Sequence, residues 1–322
     1  MSYTSSTTRV GGPPSAQGTP QGCPPSKGEG FVCNLCPRNC SVDRDKSLGF
    51  CGATNEVVVS KYMVHNWEEP CLVGNLTTTR RGSGAIFFSG CNLRCVYCQN
   101  KEISGSVKGT VYSVEGLADL MLDLQNMGVC NINLVTPTHY SNQIRKALDL
   151  IKGKLTIPVV YNTSGYEKSE EIEKMRGYVS VFLTDLKYFS SELSQKYSRA
   201  SDYFEYAIES LRVMLDISPK MVFDKEGILQ SGVIVRHLCL PTHRQDSIKI
   251  LEELCSRFDK DSFKLSLMSQ YTPEFCPEEF SQLRRRITTF EYESVVKVAL
   301  RIGFDGYIQD KSSASAKFTP RF

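Results

Sequence analysis

Short apolar runs alternate with amphipathic stretches from residue 85 onwards. The helical stretches fall at 114–127, 139–152, 168–176, 202–217 and 246–258, with a last helix at 288–302 and a short final strand at 304–308. The apolar runs have the length and β-branched composition of buried strands, and they lie at 85–88, 131–135, 157–161, 179–186, 232–240 and 263–268. Strands that alternate with helices predict parallel β/α units.

The chain before residue 85 has a different character. Residues 1–30 are rich in Ser, Thr, Gly, Pro and Gln, so we expect a disordered segment that cannot bury enough apolar surface to order itself. A weak organelle-targeting peptide is the alternative, although no amphipathic basic helix is present. Residues 31–84 predict a small cysteine-rich extension that contains antiparallel strands, and we expect 311–322 to be a flexible tail.

Composition narrows the class of protein. The chain has 322 residues, of which 41% are hydrophobic and 23% charged, and its net charge of +3 gives no reason to expect nucleic acid or a membrane surface as partner. No apolar run has the length of a membrane span. Thirteen cysteines in a long chain without an apolar signal segment predict reduced, partly metal-bound thiols and a cytoplasmic location.

Three of these cysteines follow the first predicted strand, in the stretch IFFSGCNLRCVYCQN at 86–100. Cys91, Cys95 and Cys98 have the spacing C-x3-C-x2-C. Three thiolates on one tight loop can hold three irons of a 4Fe-4S cluster, so the fourth iron stays open to a ligand. The alternative is a zinc site or three unbound thiols, but no nearby His or fourth Cys completes a zinc set.

The stretch GCNLRCVYCQN resembles the cluster loop of the radical S-adenosylmethionine superfamily. Its flanks are most similar to the pyruvate formate-lyase activating enzyme branch, and the resemblance spans roughly residues 85–270. It implies a partial (β/α)6 TIM-like barrel over 85–310, with the cluster at its mouth. It further implies that the open iron binds S-adenosylmethionine, which an electron cleaves to methionine and a 5′-deoxyadenosyl radical. Tyr97 stands where the family carries an aromatic residue near the adenine.

The ends of the predicted strands supply the other candidates, because parallel β/α folds place their chemistry at the carboxyl ends of strands. Thr136 and Thr138 follow the second strand, where the family often has a Gly-Gly-Glu-like segment that binds the ammonium group. This chain has no carboxylate there, so Thr136 is the expected contact, and a helix cap by Thr138 is the alternative. We expect His139 to be a surface residue.

The third and fourth strands lead into two further family-like segments. Asn162 and Thr163 resemble the D-T-N-G segment, whose Asp and Thr help form a monovalent cation site, and Asn162 here replaces that Asp. Asp185 and Lys187 match the D-x-K motif. Two residues apart on a strand, they share a face and can pair with the ammonium and carboxylate of a methionine moiety. A plain salt bridge is the alternative.

Arg236 in the fifth strand matches an arginine of the activating enzymes. A charge within an apolar strand needs a partner, and we expect a ligand carboxylate or Asp185, with a structural ion pair as the alternative. The family's histidine after the sixth strand is absent, and Gln270 and Tyr271 are its possible substitutes. We expect His65 and Trp67 to be packing residues.

A second cysteine set lies in the extension. It has the spacing C-x2-C-x3-C-x10-C and consists of Cys33, Cys36, Cys40 and Cys51. Four thiolates with a tight first pair predict a closed metal site that holds zinc or an auxiliary Fe–S cluster. Four buried free thiols are the alternative.

Together these patterns predict an oxidoreductase that cleaves S-adenosylmethionine on a 4Fe-4S cluster and abstracts a hydrogen atom. By similarity we expect a glycyl-radical-enzyme activating enzyme, with a glycyl radical enzyme as protein substrate and an external flavodoxin or ferredoxin as electron donor. No nucleic acid or membrane is expected as partner. The alternatives are a radical enzyme acting on a small molecule or RNA, and a non-catalytic zinc-binding protein.

Overall fold

The computed structural model describes residues 32–75 and 78–310. The predictions of a disordered segment at 1–30 and a flexible tail at 311–322 therefore lie outside the described residues.

The secondary structure of the described residues alternates as the sequence predicts. The helices are α1 (Pro70–Val73), α2 (Lys101–Ser104), α3 (Val114–Asn126), α4 (Ser141–Leu150), α5 (Ser169–Glu173), α6 (Ser191–Ser198), α7 (Tyr203–Ile217), α8 (Arg244–Arg257) and α9 (Thr289–Ile302). The strands are β1 (Val32–Cys33), β2 (Val42–Asp43), β3 (Val57–His65), β4 (Ser83–Phe88), β5 (Thr110–Tyr112), β6 (Ile132–Val135), β7 (Val159–Thr163), β8 (Val181–Asp185), β9 (Val222–Phe223), β10 (Leu229–Leu238), β11 (Lys264–Met268) and β12 (Gly306–Ile308).

One large sheet carries the fold. Its strand order is β12-β11-β10-β8-β7-β6-β4-β3-β5, so its two edges, within the described ranges, do not pair with each other. The six predicted strands β4, β6, β7, β8, β10 and β11 run parallel, and β12 extends the parallel set. The predicted α/β class with a partial TIM-like barrel is confirmed. Within the described part of the chain, no helix has the length and hydropathy of a membrane span.

The helices follow from local sequence signals. The side chain of Ser113 accepts a hydrogen bond from the Gly116 amide and caps α3, whose buried face includes Leu117, Met121 and Leu124. The polar helix α6 was not predicted, because its sequence SELSQKYS has no apolar periodicity.

The N-terminal extension contributes directly to the barrel. Strand β3 pairs antiparallel with β4 and β5, so it joins the large sheet and its partners lie almost entirely beyond residue 84. Helix α1 inserts Leu72, which is fully buried, among apolar side chains of β7, β8 and β10. Asn131 donates a side-chain hydrogen bond to the Leu72 carbonyl over 2.7 Å. Because Val160 and Val181 of this cluster stand near the starts of their strands, α1 covers the amino-terminal end of the barrel.

We expect Leu72→Ala to lower the free energy of unfolding by about 2–5 kcal/mol, because the truncation leaves a cavity in this packed cluster. Leu48→Ala is the matched control, since Leu48 is 61% exposed and such surface changes stay within about 0.5 kcal/mol. Urea denaturation monitored by circular dichroism measures both. Equal effects of the two substitutions would contradict the role assigned to α1.

Candidate functional site

A cavity of about 580 Å³ lies inside the barrel and extends to the carboxyl ends of the strands. It brings together the residues that the sequence predicts for the barrel site. Those that line it are Cys91, Cys95, Tyr97, Cys98, Thr136, Asn162, Thr163, Asp185, Lys187 and Arg236.

The cysteine loop follows β4 and forms one end of this cavity. Gly90 adopts φ +89°, and a Cβ added there would lie 2.6 Å from the Cys51 carbonyl oxygen, so only glycine fits. Burial raises the pKa of the Cys91 thiol to about 12. A free thiol at this position therefore stays protonated at neutral pH, and its thiolate form requires a bound metal.

As the structure places them, the thiols of both cysteine sets do not converge on a single metal-ion position within the described ranges. No group of three or more His, Cys, Asp or Glu side chains converges on one metal-ion position within 32–75 and 78–310. A zinc ion needs all its sulfur ligands at about 2.3 Å from one point. Each iron of a 4Fe-4S cluster takes its own thiolate, so cluster cysteines need not converge in this way.

Tyr97 lies in a wall of buried aromatic rings beside the loop. Its ring makes edge contacts with Tyr188, Tyr197 and Tyr271, at centroid distances of 5.9–6.5 Å. The hydroxyl groups of Tyr97 and Tyr188 share a hydrogen bond of 2.6 Å. Gln270 lines the cavity, whereas Tyr271 packs in this wall, so these two suggested substitutes for the family histidine have different surroundings.

Asp185 and Lys187 form an ion pair of 2.6 Å at the carboxyl end of β8. Burial lowers the pKa of Lys187, but Asp185 together with Cys95, Tyr97 and Tyr203 outweighs it and holds the pKa above its ordinary value. The Tyr203 hydroxyl accepts from the Lys187 amide and contacts the Asp185 carbonyl, at 3.0 Å in each case. Both charged side chains therefore face the cavity from a fixed backbone.

Arg236 pairs with two carboxylates that the sequence analysis missed. Its Nε donates to Glu69 over 2.8 Å, and its Nη2 contacts both Glu68 and Glu69. Of the two expected partners, Asp185 was wrong because it is paired with Lys187, and the alternative of a structural ion pair is what the structure shows. A signal for the true partners existed, since a buried arginine needs acidic neighbours and two adjacent glutamates precede α1.

Glu167 is a second missed residue, and it links two of the predicted segments. The hydroxyls of Thr138 and Thr163 both donate to its Oε1 atom, so the alternative of a helix cap by Thr138 was wrong. Glu167 is completely buried, and this burial raises its pKa to about 7. Its Oε2 has no hydrogen-bond partner among the described residues.

Three aromatic side chains differ from expectation. His139 is buried, and its Nε2 makes a 2.7 Å hydrogen bond with the Ser89 carbonyl, so the prediction of a surface position was wrong. His65 and Trp67 both line the cavity, whereas we expected them only to pack. Trp67 is 61% exposed and Ile308 is 49% exposed, so the lining of the cavity reaches the surface.

The second cysteine set surrounds its own small cavity beside the cluster loop. Cys33, Cys36, Cys40 and Cys51 all line this cavity of about 10 Å³. Arg38 lies between two of these cysteines in sequence and donates to the Asn92 carbonyl of the cluster loop over 2.7 Å. The two cysteine sets therefore belong to one packed region.

The fold and the site define an α/β-barrel protein with a cysteine loop at one end of its internal cavity. A family model described as "Radical SAM superfamily" matches residues 85–224. Residues 85–224 thus match the superfamily that the cysteine loop predicted. The match does not single out the pyruvate formate-lyase activating enzyme branch, which stays a prediction.

Among known proteins, the uncharacterized protein MJ0674 of Methanocaldococcus jannaschii is 29% identical over 282 residues, which cover 85% of this chain and 75% of that protein. Two similar crystal structures are Streptococcus suis SuiB bound to S-adenosylmethionine and SuiB bound to the precursor peptide SuiA. They are 11% and 12% identical, each with a TM-score of 0.43 over 68% of this chain. The match covers 48% and 46% of those chains, about half their length.

Glu167 provides a test of the buried hydrogen-bond arrangement. Because its folded-state pKa of about 7 exceeds the ordinary 4.5, the native state holds the proton more tightly and loses stability as the pH rises from 4.5 to 7. Glu167→Gln keeps a neutral acceptor for both threonines. We subtract the free energy of unfolding of wild type from that of the variant at each pH. We expect this difference to be about 3 kcal/mol larger at pH 8 than at pH 4.5.

Urea denaturation at the two pH values measures this difference. Glu293→Gln is the control, because Glu293 is exposed and its substitution should leave the pH profile unchanged. A Glu167→Gln profile parallel to that of wild type would show that Glu167 is not held protonated at neutral pH.

Proposed function

We propose that this protein is an iron–sulfur enzyme that reductively cleaves S-adenosylmethionine and uses the resulting 5′-deoxyadenosyl radical for hydrogen abstraction. One observation carries the proposal: the three loop cysteines and the predicted cofactor residues line a single cavity of about 580 Å³. A cavity of this size is in the range of small-molecule sites. The superfamily domain at 85–224 supports the same chemistry.

The residues around the cavity fit the two cofactors. Cys91, Cys95 and Cys98 would hold three irons, and a cluster with one iron free of protein ligands supplies the electron and the binding position for the sulfonium compound. Ser164 also lines the cavity, and its buried hydroxyl has no hydrogen-bond partner within the described ranges. An orphaned buried hydroxyl of this kind is expected where a ligand completes the hydrogen bonding.

The charged residues at the strand ends have distinct roles in this proposal. Asp185 would receive the ammonium group of the methionine moiety and Lys187 would pair with its carboxylate, in exchange for the ion pair that the two side chains now make with each other. Thr136 and Asn162 offer polar groups at the same edge of the cavity. Thr163 donates to Glu167, so we assign it a positioning role. Arg236 is neutralised by Glu68 and Glu69, and we therefore expect it to shape the cavity more than to bind the cofactor.

A protein substrate is the favoured target of the radical. The lining of the cavity includes the exposed residues Trp67 and Ile308, and an opening at the surface would allow an extended segment of a partner to approach the cysteine loop. The narrower proposal is a glycyl-radical-enzyme activating enzyme that takes electrons from a flavodoxin or ferredoxin, and it rests on the resemblance of the cysteine loop and its flanks. The alternative is a radical enzyme that modifies a small molecule or RNA. Such an enzyme would turn over its substrate without a protein partner.

The second cysteine set is proposed as a separate closed metal site. All four thiols line one small cavity, and Arg38 and Arg44 beside them supply positive charge that would balance a four-thiolate centre. Zinc and an auxiliary Fe–S cluster both suit the chemistry of four thiolates, but zinc would require the four sulfur atoms to draw together around one point.

Cys95→Ala should abolish the release of 5′-deoxyadenosine, because two thiolates cannot retain the cluster. The assay is anaerobic reconstitution with iron and sulfide, followed by dithionite and S-adenosylmethionine and chromatography of the products. Cys255→Ala is the control, since Cys255 is exposed and outside both cysteine sets. Wild-type protein with a full complement of iron and no 5′-deoxyadenosine would contradict the proposed function.

If the N-terminal cysteine set binds metal, the protein contains metal beyond that held by the cysteine loop. Elemental analysis of purified Cys91→Ala/Cys95→Ala/Cys98→Ala protein should still find zinc or iron, because the four N-terminal thiols are intact. Further replacement of Cys36 by Ala should remove that metal. Absence of both metals from the triple variant, at wild-type folding by circular dichroism, would show that Cys33, Cys36, Cys40 and Cys51 are free thiols.

A further inference from the structure

Helix α6 brings a hydroxyl group against one of the loop cysteines. The Oγ atom of Ser198 donates a hydrogen bond to the Sγ atom of Cys95 over 3.1 Å. Ser198 is 1% exposed, so water does not compete for its hydroxyl group.

Two tyrosines extend this contact into a chain of hydroxyl groups. The Tyr188 hydroxyl lies 2.8 Å from Ser198 Oγ, and the Tyr97 hydroxyl lies 2.6 Å from that of Tyr188. Each hydroxyl has one proton to donate. Because Ser198 gives its proton to Cys95, it must accept from Tyr188, and Tyr188 must in turn accept from Tyr97. All hydrogen bonds in this row of hydroxyl groups therefore run in one direction, towards the Cys95 sulfur.

The backbone holds Ser198 in this position from both sides. The Val96 amide of the cysteine loop donates to the Tyr197 carbonyl over 2.9 Å, which ties the loop to the end of α6. Arg38 donates to the Ser198 carbonyl over 2.8 Å and to the Asn92 carbonyl over 2.7 Å. The contact between Ser198 and Cys95 is thus built into the packing of three segments.

We propose that Ser198, polarised by Tyr188 and Tyr97, is a positioning residue that raises the reduction potential of the cluster bound through Cys95. A hydrogen bond donated to a cysteine sulfur withdraws electron density and stabilises the reduced, more negative cluster, and such bonds are among the factors that set Fe–S potentials. Hydrogen bonds in a row polarise one another, so the Tyr97 and Tyr188 hydroxyls strengthen the hydrogen bond that Ser198 donates to Cys95. The inference rests on the proposed function only in requiring that a cluster is bound.

The test is a potentiometric titration of the reconstituted protein, followed by electron paramagnetic resonance. Ser198→Ala should move the midpoint potential to a more negative value, and Tyr188→Phe should move it in the same direction by less, because the Ser198 hydroxyl remains. The control for the serine is Ser194→Ala, a buried position of α6 whose hydroxyl donates to the Ser191 carbonyl. The control for the tyrosine is Tyr292→Phe, a buried hydroxyl that donates to the Leu267 carbonyl.

A second measurement detects the proton that the Ser198 hydroxyl donates to Cys95. Electron nuclear double resonance of the reduced cluster, before and after exchange into D2O, should find an exchangeable proton coupled to the cluster that is lost in Ser198→Ala and retained in Ser194→Ala. Wild-type potential and an unchanged proton signal in Ser198→Ala would overturn the proposal. If Ser198→Ala binds no iron, the shift in Tyr188→Phe decides alone. Neither measurement uses cleavage of S-adenosylmethionine, so an inactive cluster would contradict the proposed function without affecting this test.

Discussion

The packing of the N-terminal extension against the cysteine loop is the constraint on which the site depends. The Cys51 carbonyl lies where a side chain on Gly90 would have to be, and Arg38 donates to the Asn92 carbonyl within the loop. These contacts, with the link from Val96 to α6, hold three thiols at one end of the barrel cavity. A loop fixed before any metal arrives loses little further entropy when a cluster forms.

The buried charges of the cavity are compensated within the chain. Arg236 is held by Glu68 and Glu69, and Lys187 is held by Asp185. Unpaired, each of these groups would cost several kcal/mol. The pairing fixes the orientation of these side chains around the cavity.

The fold was predictable because its signals are local. Apolar runs and helical periodicity located the parallel strands, and the cysteine spacing located the loop after β4. The partners of the charged residues were not predictable in this way, since Arg236 and Glu69 are 167 positions apart in sequence. Glu167 and His139 were missed for the same reason, because their burial depends on how distant segments pack. Helix α6 lacks an apolar stripe, so its contact with Cys95 becomes visible only in the assembled structure.

The central claim is that one iron of the cluster has no ligand from the protein and is open to S-adenosylmethionine. Mössbauer spectroscopy of the reconstituted, ⁵⁷Fe-labelled protein tests it most directly. We expect one iron of the cluster at the cysteine loop to change its isomer shift when S-adenosylmethionine is added, while the other three keep theirs. Four irons that remain identical and unaffected by the added compound would mean that a side chain closes the fourth position, and the account would be wrong.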